Sequence, residues 1–126
     1  MMYLFIFLLL LFQDLPFVSG DEYLVQNFTV EDGLPVNSVN GIVQDDNDYL
    51  WFSTLDGLVR YDGYNFEIYN SGNTDGLITN RIGGLMKTVS NEIWMVHPDG
   101  TITRKTGSTF KGYSEDQGDF EGHTDR

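Results

Sequence analysis

The stretch Asp32-Gly33-Leu34-Pro35-Val36-Asn37-Ser38-Val39-Asn40-Gly41 begins a segment that the chain repeats 43 positions later. Over the 26 positions from Asp32 to Gly57, eight residues recur at this shift, whereas chance would give roughly one or two. Most of the recurring residues are Asp, Gly, Asn or Trp. Asp32, Gly33, Leu34, Asn37, Gly41, Trp51, Asp56 and Gly57 reappear as Asp75, Gly76, Leu77, Asn80, Gly84, Trp94, Asp99 and Gly100. A period of about 40–45 residues with several short strands is typical of β-propeller blades.

The repeat continues with one inserted residue, so that its later matches are 44 positions apart. These matches are Gly63/Gly107, Phe66/Phe110 and Tyr69/Tyr113. Apolar residues occur in the same phase as Val39/Ile82, Ile42/Leu85, Leu50/Ile93 and Val59/Ile102. We therefore expect an all-β fold, a partial β-propeller. It should have about two four-stranded antiparallel blades plus one extra strand, after an N-terminal signal segment.

Short β-rich runs separated by Gly, Asn and Asp predict four strands in each repeat. In the first repeat the strands are expected near 39–44, 49–54, 58–61 and 65–69. In the second they are expected near 82–87, 92–96, 101–104 and 109–113. Asp56-Gly57 and Asp62-Gly63 supply the positive φ that tight hairpin turns require.

The chain outside the repeats divides into three segments. Residues 1–20 contain an apolar run, 3–12, that is too short to cross a bilayer as a helix, which needs about 20 residues. The run leads to Val18-Ser19-Gly20 and predicts a signal peptide, the alternative being a short buried strand or helix. An orphan outer strand is expected at 21–31, followed by blades at 32–74 and 75–114. Residues 115–126 are an acidic tail or the truncated start of a further blade.

Composition limits both the binding partners and the means of stabilisation. The net charge is −12, which disfavours nucleic acids and anionic membrane surfaces as partners. The chain has no cysteine, so it has neither disulfides nor thiolate metal sites. An exported domain of this kind must be stabilised by packing. Two blades also leave exposed sheet edges, which predicts a fragment of a longer protein.

The recurring residues are expected to have structural roles. Trp51 and Trp94 should pack between blades, the alternative being a platform on which a sugar stacks. Gly41 and Gly84 should let neighbouring backbones approach. The pairs Asn37/Asn80, Asp56/Asp99 and Gly57/Gly100 are interpreted as turn formers.

Residues that differ between the repeats are the candidates for ligand binding. The connections between repeats and the turns between second and third strands should open on one rim: 35–38, 55–56, 79–81 and 97–99. On this rim Arg81 replaces Ser38 and His97 replaces Thr54, and either could donate hydrogen bonds to hydroxyls or anions. The alternative is a solvated arginine and an incidental histidine. No catalytic residues or cofactor are expected, because no nucleophile-elbow motif is seen and no glycine-rich phosphate loop follows a strand. No metal site is expected, because the spacing of Asp45, Asp46 and Asp48 does not fit a calcium loop.

The motifs of the first repeat resemble the two-component regulator propeller repeat. Those motifs are Gly33-Leu34-Pro35-Val36-Asn37, then Leu50-Trp51-Phe52-Ser53-Thr54, then Gly57-Leu58-Val59-Arg60-Tyr61-Asp62-Gly63. Ser53 stands where the family more often has glycine. The second repeat is a weaker copy, with Met95-Val96-His97 at the end of its second strand.

The resemblance implies an exported sensor propeller at the N-terminus of a membrane-anchored signalling protein. Such proteins carry a histidine kinase or diguanylate cyclase as output, and their propellers are thought to sense ligands, often saccharides. The implied partners are the remainder of the propeller, a membrane-anchored signalling module and a saccharide ligand. The implied location is the periplasm, with the parent protein in the inner membrane. The alternatives are a structural or protein-interaction propeller without a small ligand, and a propeller enzyme such as a lyase.

Overall fold

The computed structural model describes residue 20 and residues 23–115, and over these residues the chain is all-β. A 3₁₀ turn at Val30–Asp32 precedes the strands. The strands of the described part are β1 (Gly41–Gln44), β2 (Leu50–Thr54), β3 (Gly57–Tyr61), β4 (Phe66–Tyr69), β5 (Gly84–Lys87), β6 (Ile93–Val96), β7 (Ile102–Thr106) and β8 (Thr109–Tyr113). The prediction of an all-β fold is confirmed.

The strands form two four-stranded sheets, each an antiparallel meander. The first sheet has the order β1-β2-β3-β4 and the second the order β5-β6-β7-β8. Trp51 lies opposite Val43 and Arg60 in the first sheet. Trp94 lies opposite Met86 and Arg104 in the second. This arrangement is that of two consecutive propeller blades, as the sequence predicts.

The described residues of the extra strand predicted at 21–31, which are residues 23–31, do not form a strand. Residues 23–29 have no strand assignment, and they lead directly into the 3₁₀ turn. A strand needs a neighbour to accept and donate its ladder hydrogen bonds, and the blade that this strand would complete is not among the described strands. Among the described residues 23–29, Phe28 packs on the first sheet, with its ring 5.2 Å from that of Phe66.

The inserted residue of the second repeat lies in the turn between its second and third strands. In the first repeat Thr54 pairs with Gly57, and two residues, 55–56, lie between them. In the second the amide of His97 donates to the carbonyl of Thr101 at 3.0 Å, and three residues, 98–100, lie between them. Val59 lies opposite Phe52, and Thr103 lies opposite Met95. The predicted correspondence between Val59 and Ile102 in the two repeats is therefore wrong. The longer turn shifts the correspondence by one residue, so that Val59 corresponds to Thr103. A shift of one residue places a side chain on the other face of the sheet.

The two sheets pack face to face around the main hydrophobic core. This sheet interface consists of buried side chains from both sheets and from the loop between them: Trp51, Leu58, Leu77, Ile82, Ile93, Met95 and Phe110. The first strands of the two sheets also approach closely. A Cβ atom on Gly41 would lie 3.2 Å from the backbone nitrogen of Leu85 and 2.9 Å from Ser53 Oγ. Glycine at this position permits the close approach that the sequence predicts.

Each sheet has a second face that the other does not cover. On the first sheet this outer face holds the cluster Leu34, Phe52 and Val59, with Phe28 and Phe66 packed against it. On the second sheet the open face carries Trp94, Met86 and Val96, and the last two side chains are exposed.

Two predicted segments fall almost wholly outside the described residues. The predicted signal peptide, 1–20, is described only at residue 20, and the predicted tail, 115–126, only at residue 115. Within the part that is described, no helix has the length and apolar character needed to cross a membrane.

Candidate functional site

The loop before β5 and the turn after β2 meet at one edge of the sheets. The amide of Gly57 donates to the carbonyl of Asn80 at 2.8 Å, and the amide of Ile82 donates to the carbonyl of Thr54 at 2.9 Å. These bonds fix the backbone of residues 80–82 on the first sheet. The loop before β5 is therefore held in a defined position at this edge, which is the rim that the sequence predicts.

Arg81 lies at the centre of this loop with an exposed side chain. It lines a surface depression of about 280 Å³ together with Thr79, Pro98 and Asp99. The residues come from the loop before β5 and from the turn between β6 and β7. The depression thus brings together two of the segments that the sequence places on one rim.

Asp99 contributes a carboxylate to the same depression. Its Oδ1 accepts hydrogen bonds from the hydroxyl of Thr101 at 2.6 Å and from the amide of Thr101 at 3.0 Å. These two bonds, the hydroxyl first, lower the pKa of Asp99 below its ordinary value. The depression therefore offers an ionised carboxylate as well as the guanidinium of Arg81.

His97, the other candidate from the sequence, is buried instead of facing the depression. Its side chain is 2% exposed. Nδ1 lies 2.8 Å from the carbonyl oxygen of Arg81, and Nε2 lies 2.8 Å from the hydroxyl of Thr103. A carbonyl oxygen only accepts, so Nδ1 carries the hydrogen in that bond. Both ring nitrogens are occupied by the protein, and His97 positions the Arg81 backbone.

The paired asparagines do more than form local turns. The side-chain oxygen of Asn37 accepts the amide of Val30 at 2.8 Å, and that of Asn80 accepts the amide of Ser71 at 2.7 Å. In each repeat the asparagine side chain thus holds the segment that precedes the repeat against the rim. Turn-forming glycines are found where expected, since Gly57 has φ 125° and Gly100 has φ 88°.

The tryptophans occupy matching strand positions and differ in their hydrogen-bond partners. Asp45, which is itself buried, accepts the indole N–H of Trp51 at 2.8 Å and the amides of Asn47 and Tyr49. Trp94 donates to Glu92 at a longer 3.3 Å. Asp45 is thus a structural acceptor in its loop. Among residues 20 and 23–115, no group of three or more potential ligand side chains is placed to hold a metal ion.

A second depression, of about 250 Å³, lies between the sheets beside Trp51. Lys105 Nζ lies 4.6 Å from the centre of the Trp51 ring and donates to the carbonyl of Gly107. Burial lowers the pKa of Lys105, whereas the charge of Asp45 acts in the opposite direction. Sequence reasoning missed Lys105, because its proximity to Trp51 depends on how the two sheets pack.

The chemistry of the rim is that of a binding surface for polar molecules. A guanidinium presents N–H donors, a carboxylate presents acceptors, and the hydroxyl of Thr79 can do either. Pro98 adds an apolar surface beside them. Such a set can hydrogen-bond the hydroxyl groups of a ligand.

The fold and the rim define a repeat protein of the propeller class. Residues 33–56 match the family model described as two component regulator propeller. The chain therefore contains a two component regulator propeller repeat, and the resemblance seen in the sequence is confirmed over these residues.

A relative with a longer chain supports the same class. Over 57 residues, 45% of this chain, the sequence is 39% identical to Histidine kinase P4 of Formosa agariphila. The match covers 4% of that protein. The chain is thus similar to a small part of a histidine kinase.

Proposed function

We propose that this chain supplies two blades of an exported sensor propeller that recognises a ligand for a membrane-anchored signalling protein. The ligand is a saccharide, and the rim depression around Arg81 and Asp99 is where it binds. The parent protein carries the output module, a histidine kinase or a diguanylate cyclase, and the chain itself performs no catalysis. Its location is the periplasm, with the parent protein anchored in the inner membrane.

The observation that carries this proposal is the set of groups around the depression. Arg81 offers donors and Asp99 an ionised acceptor, and both belong to segments that the structure fixes through backbone hydrogen bonds. A preformed polar set of this kind suits a neutral or weakly charged polyhydroxylated ligand, because it does not need to be ordered on binding. The similarity to a histidine kinase supports a signalling context.

A binding experiment tests the ligand class. The chain is titrated calorimetrically with a panel of neutral and acidic oligosaccharides, and the same titrations are repeated on Arg81→Ala and on Lys111→Ala. We expect at least one saccharide to bind the wild type and Lys111→Ala equally, and Arg81→Ala about 10-fold more weakly. Absence of binding across the panel would contradict the saccharide proposal and favour a propeller that docks proteins.

Export is tested separately with reporter fusions. Alkaline phosphatase, which folds only in an oxidising compartment, is fused after residue 115, and a version lacking residues 1–20 is the control. We expect phosphatase activity only with residues 1–20 present. Equal activity in both fusions, or none in either, would contradict the proposed location.

A further inference from the structure

The outer face of the first sheet contains an apolar cavity of about 170 Å³, here called the socket. It is lined by Phe28, Leu34, Asn37, Val39, Phe52 and Phe66. Little of its lining surface is polar, and the side chain of Val39 at its edge is 38% exposed. Exposed apolar cavities of this kind mark places where another surface packs.

The repeat explains what the socket is shaped to hold. Four of its lining residues have counterparts in the second repeat: Leu34 corresponds to Leu77, Val39 to Ile82, Phe52 to Met95 and Phe66 to Phe110. All four counterparts belong to the sheet interface, where they form one cluster with Trp51. Ile82 is 0% exposed there, in contrast to Val39. The socket is therefore the first-sheet copy of the surface that receives Trp51.

The open face of the second sheet presents the matching projection. Trp94 corresponds to Trp51, and each tryptophan lies across from an arginine on the third strand of its sheet. The tryptophans also contact equivalent tyrosines, with ring centres 5.5 Å apart for Trp51–Tyr69 and 6.1 Å apart for Trp94–Tyr113. The local surroundings thus repeat, but Trp94 is only partly buried while Trp51 is 2% exposed.

The glycines at the first strands show the same asymmetry. A Cβ atom on Gly41 would crowd the backbone of the second sheet, whereas a Cβ atom on its counterpart Gly84 would meet nothing within 4 Å. The space at Gly84 is the space that a neighbouring first strand fills at Gly41. The open face of the second sheet therefore retains each feature by which the first sheet accepts a neighbour.

We propose that a second copy of this chain docks head to tail on the first, with Trp94 of one copy entering the socket of the other. The chain carries both halves of this interface on opposite faces, and the interface within the chain shows how they fit. Such a contact is heterologous, because it joins two different surfaces, and further copies can add until a ring closes. Propellers close with about 4–8 blades, so copies that each contribute the two described sheets would close in rings of about two to four. The proposal rests on the fold, is independent of any ligand and concerns the chain by itself; in the parent protein of the proposed function, adjoining blades would occupy the same two faces.

Sedimentation velocity over a range of concentrations tests the assembly. Trp94→Ala removes the projection and Val39→Lys places a charge in the socket. Tyr64→Ala and Val89→Lys are matched controls at side chains that are 90% and 103% exposed and lie outside the interface. We expect the wild type and both controls to assemble, and each interface variant to weaken assembly by about 30-fold in Kd.

Mixing the two interface variants provides the decisive result. Trp94→Ala retains the socket and Val39→Lys retains the projection, so an equimolar mixture should form a one-to-one complex and nothing larger. Emission of Trp51, the one remaining tryptophan in Trp94→Ala, confirms that the sheet interface is intact. A wild-type chain that stays monomeric, assembly that survives both substitutions, or a mixture that stays monomeric would each overturn the proposal.

Discussion

Trp51 and Trp94 occupy the same strand position in successive sheets, yet only Trp51 is covered by a neighbouring sheet. Trp51 is 2% exposed and belongs to the sheet interface. Trp94 lies on the open face beside the exposed side chains of Met86 and Val96. Comparison of the two tryptophans therefore separates what the repeated residue contributes to stability from what its burial by a neighbouring sheet contributes.

The first prediction follows from this difference in burial. Trp51→Ala should lower the free energy of unfolding by about 3–5 kcal/mol, because it removes a buried indole from the centre of the core. Trp94→Ala should cost about 1 kcal/mol, since water already reaches that side chain. Denaturant unfolding at protein concentrations at which the chain is monomeric, followed by far-UV circular dichroism, measures both. Equal losses for the two variants would contradict the assigned sheet packing.

The second prediction concerns the paired glycines of the first strands. Gly41→Ala should destabilise the chain by about 1–3 kcal/mol, because the added Cβ would press on the Leu85 backbone. Gly84→Ala should change stability by less than about 0.5 kcal/mol, since the position is open and its φ is not in the left-handed region. Thermal unfolding of the two variants, at protein concentrations at which the chain is monomeric, makes the comparison. A larger loss for Gly84→Ala would show that this space is filled.

The third prediction concerns the acceptor beneath the buried indole. Asp45→Ala leaves the N–H of Trp51 without its partner in a buried position, which should cost about 1–3 kcal/mol. Glu92→Ala is the matched change in the second repeat and should cost less than about 0.5 kcal/mol, because Trp94 can bond to water. Urea titrations of both proteins decide the point. Comparable stability of Asp45→Ala and the wild type would contradict the structural role of this carboxylate.

The fourth prediction separates the two rim candidates. His97→Ala should destabilise the chain by about 2–3 kcal/mol, because it opens a cavity and leaves the Thr103 hydroxyl and the Arg81 carbonyl without their partner. Arg81→Ala should leave stability within about 0.5 kcal/mol of the wild type, since its side chain is exposed. Thermal melts of the two variants measure this contrast. The reverse order would mean that the histidine is dispensable to the fold.

The fifth prediction concerns acid stability. The amides of Asn65 and Tyr64 donate to the carboxylate of Asp62 and lower its pKa below the ordinary value. A carboxyl group with a lowered folded-state pKa contributes stability above its ordinary pKa and loses that contribution as the pH falls through the folded-state value.

The melting temperature of the wild type should therefore decrease below about pH 4. In Asp62→Asn the amide oxygen can accept the same two bonds at every pH, so the decrease should be shallower. Melting curves between about pH 2.5 and 6 measure the slope. Identical slopes for the two proteins would rule out this contribution of Asp62.

Much of the fold could be predicted because the period and the turn chemistry are local. Asp-Gly pairs mark the turns, and alternating apolar residues mark the strands between them. The pairing of Val59 with Ile102 was wrong because a shift of one residue in a turn is invisible until the strands pair. The described residues of the extra strand form no strand, because strand formation depends on a partner as well as on apolar residues.

The candidate site was less predictable than the fold. Arg81 reaches the rim as expected, and it remains a predicted ligand residue. His97 is buried because its ring nitrogens find the Arg81 carbonyl and the Thr103 hydroxyl, residues that are 16 and 6 positions away. Lys105 is brought near Trp51 by packing between the sheets. Such contacts are not encoded in any spacing.

The sequence by itself determined the repeat, the type of each strand and the identity of the residue at each matching position. These follow from hydrogen bonding within hairpins and from the two-residue period of a strand. Only the tertiary structure decided which copy of each residue is covered. Burial depends on the presence of an adjacent sheet, and two sheets have one shared face and two faces that each require another neighbour.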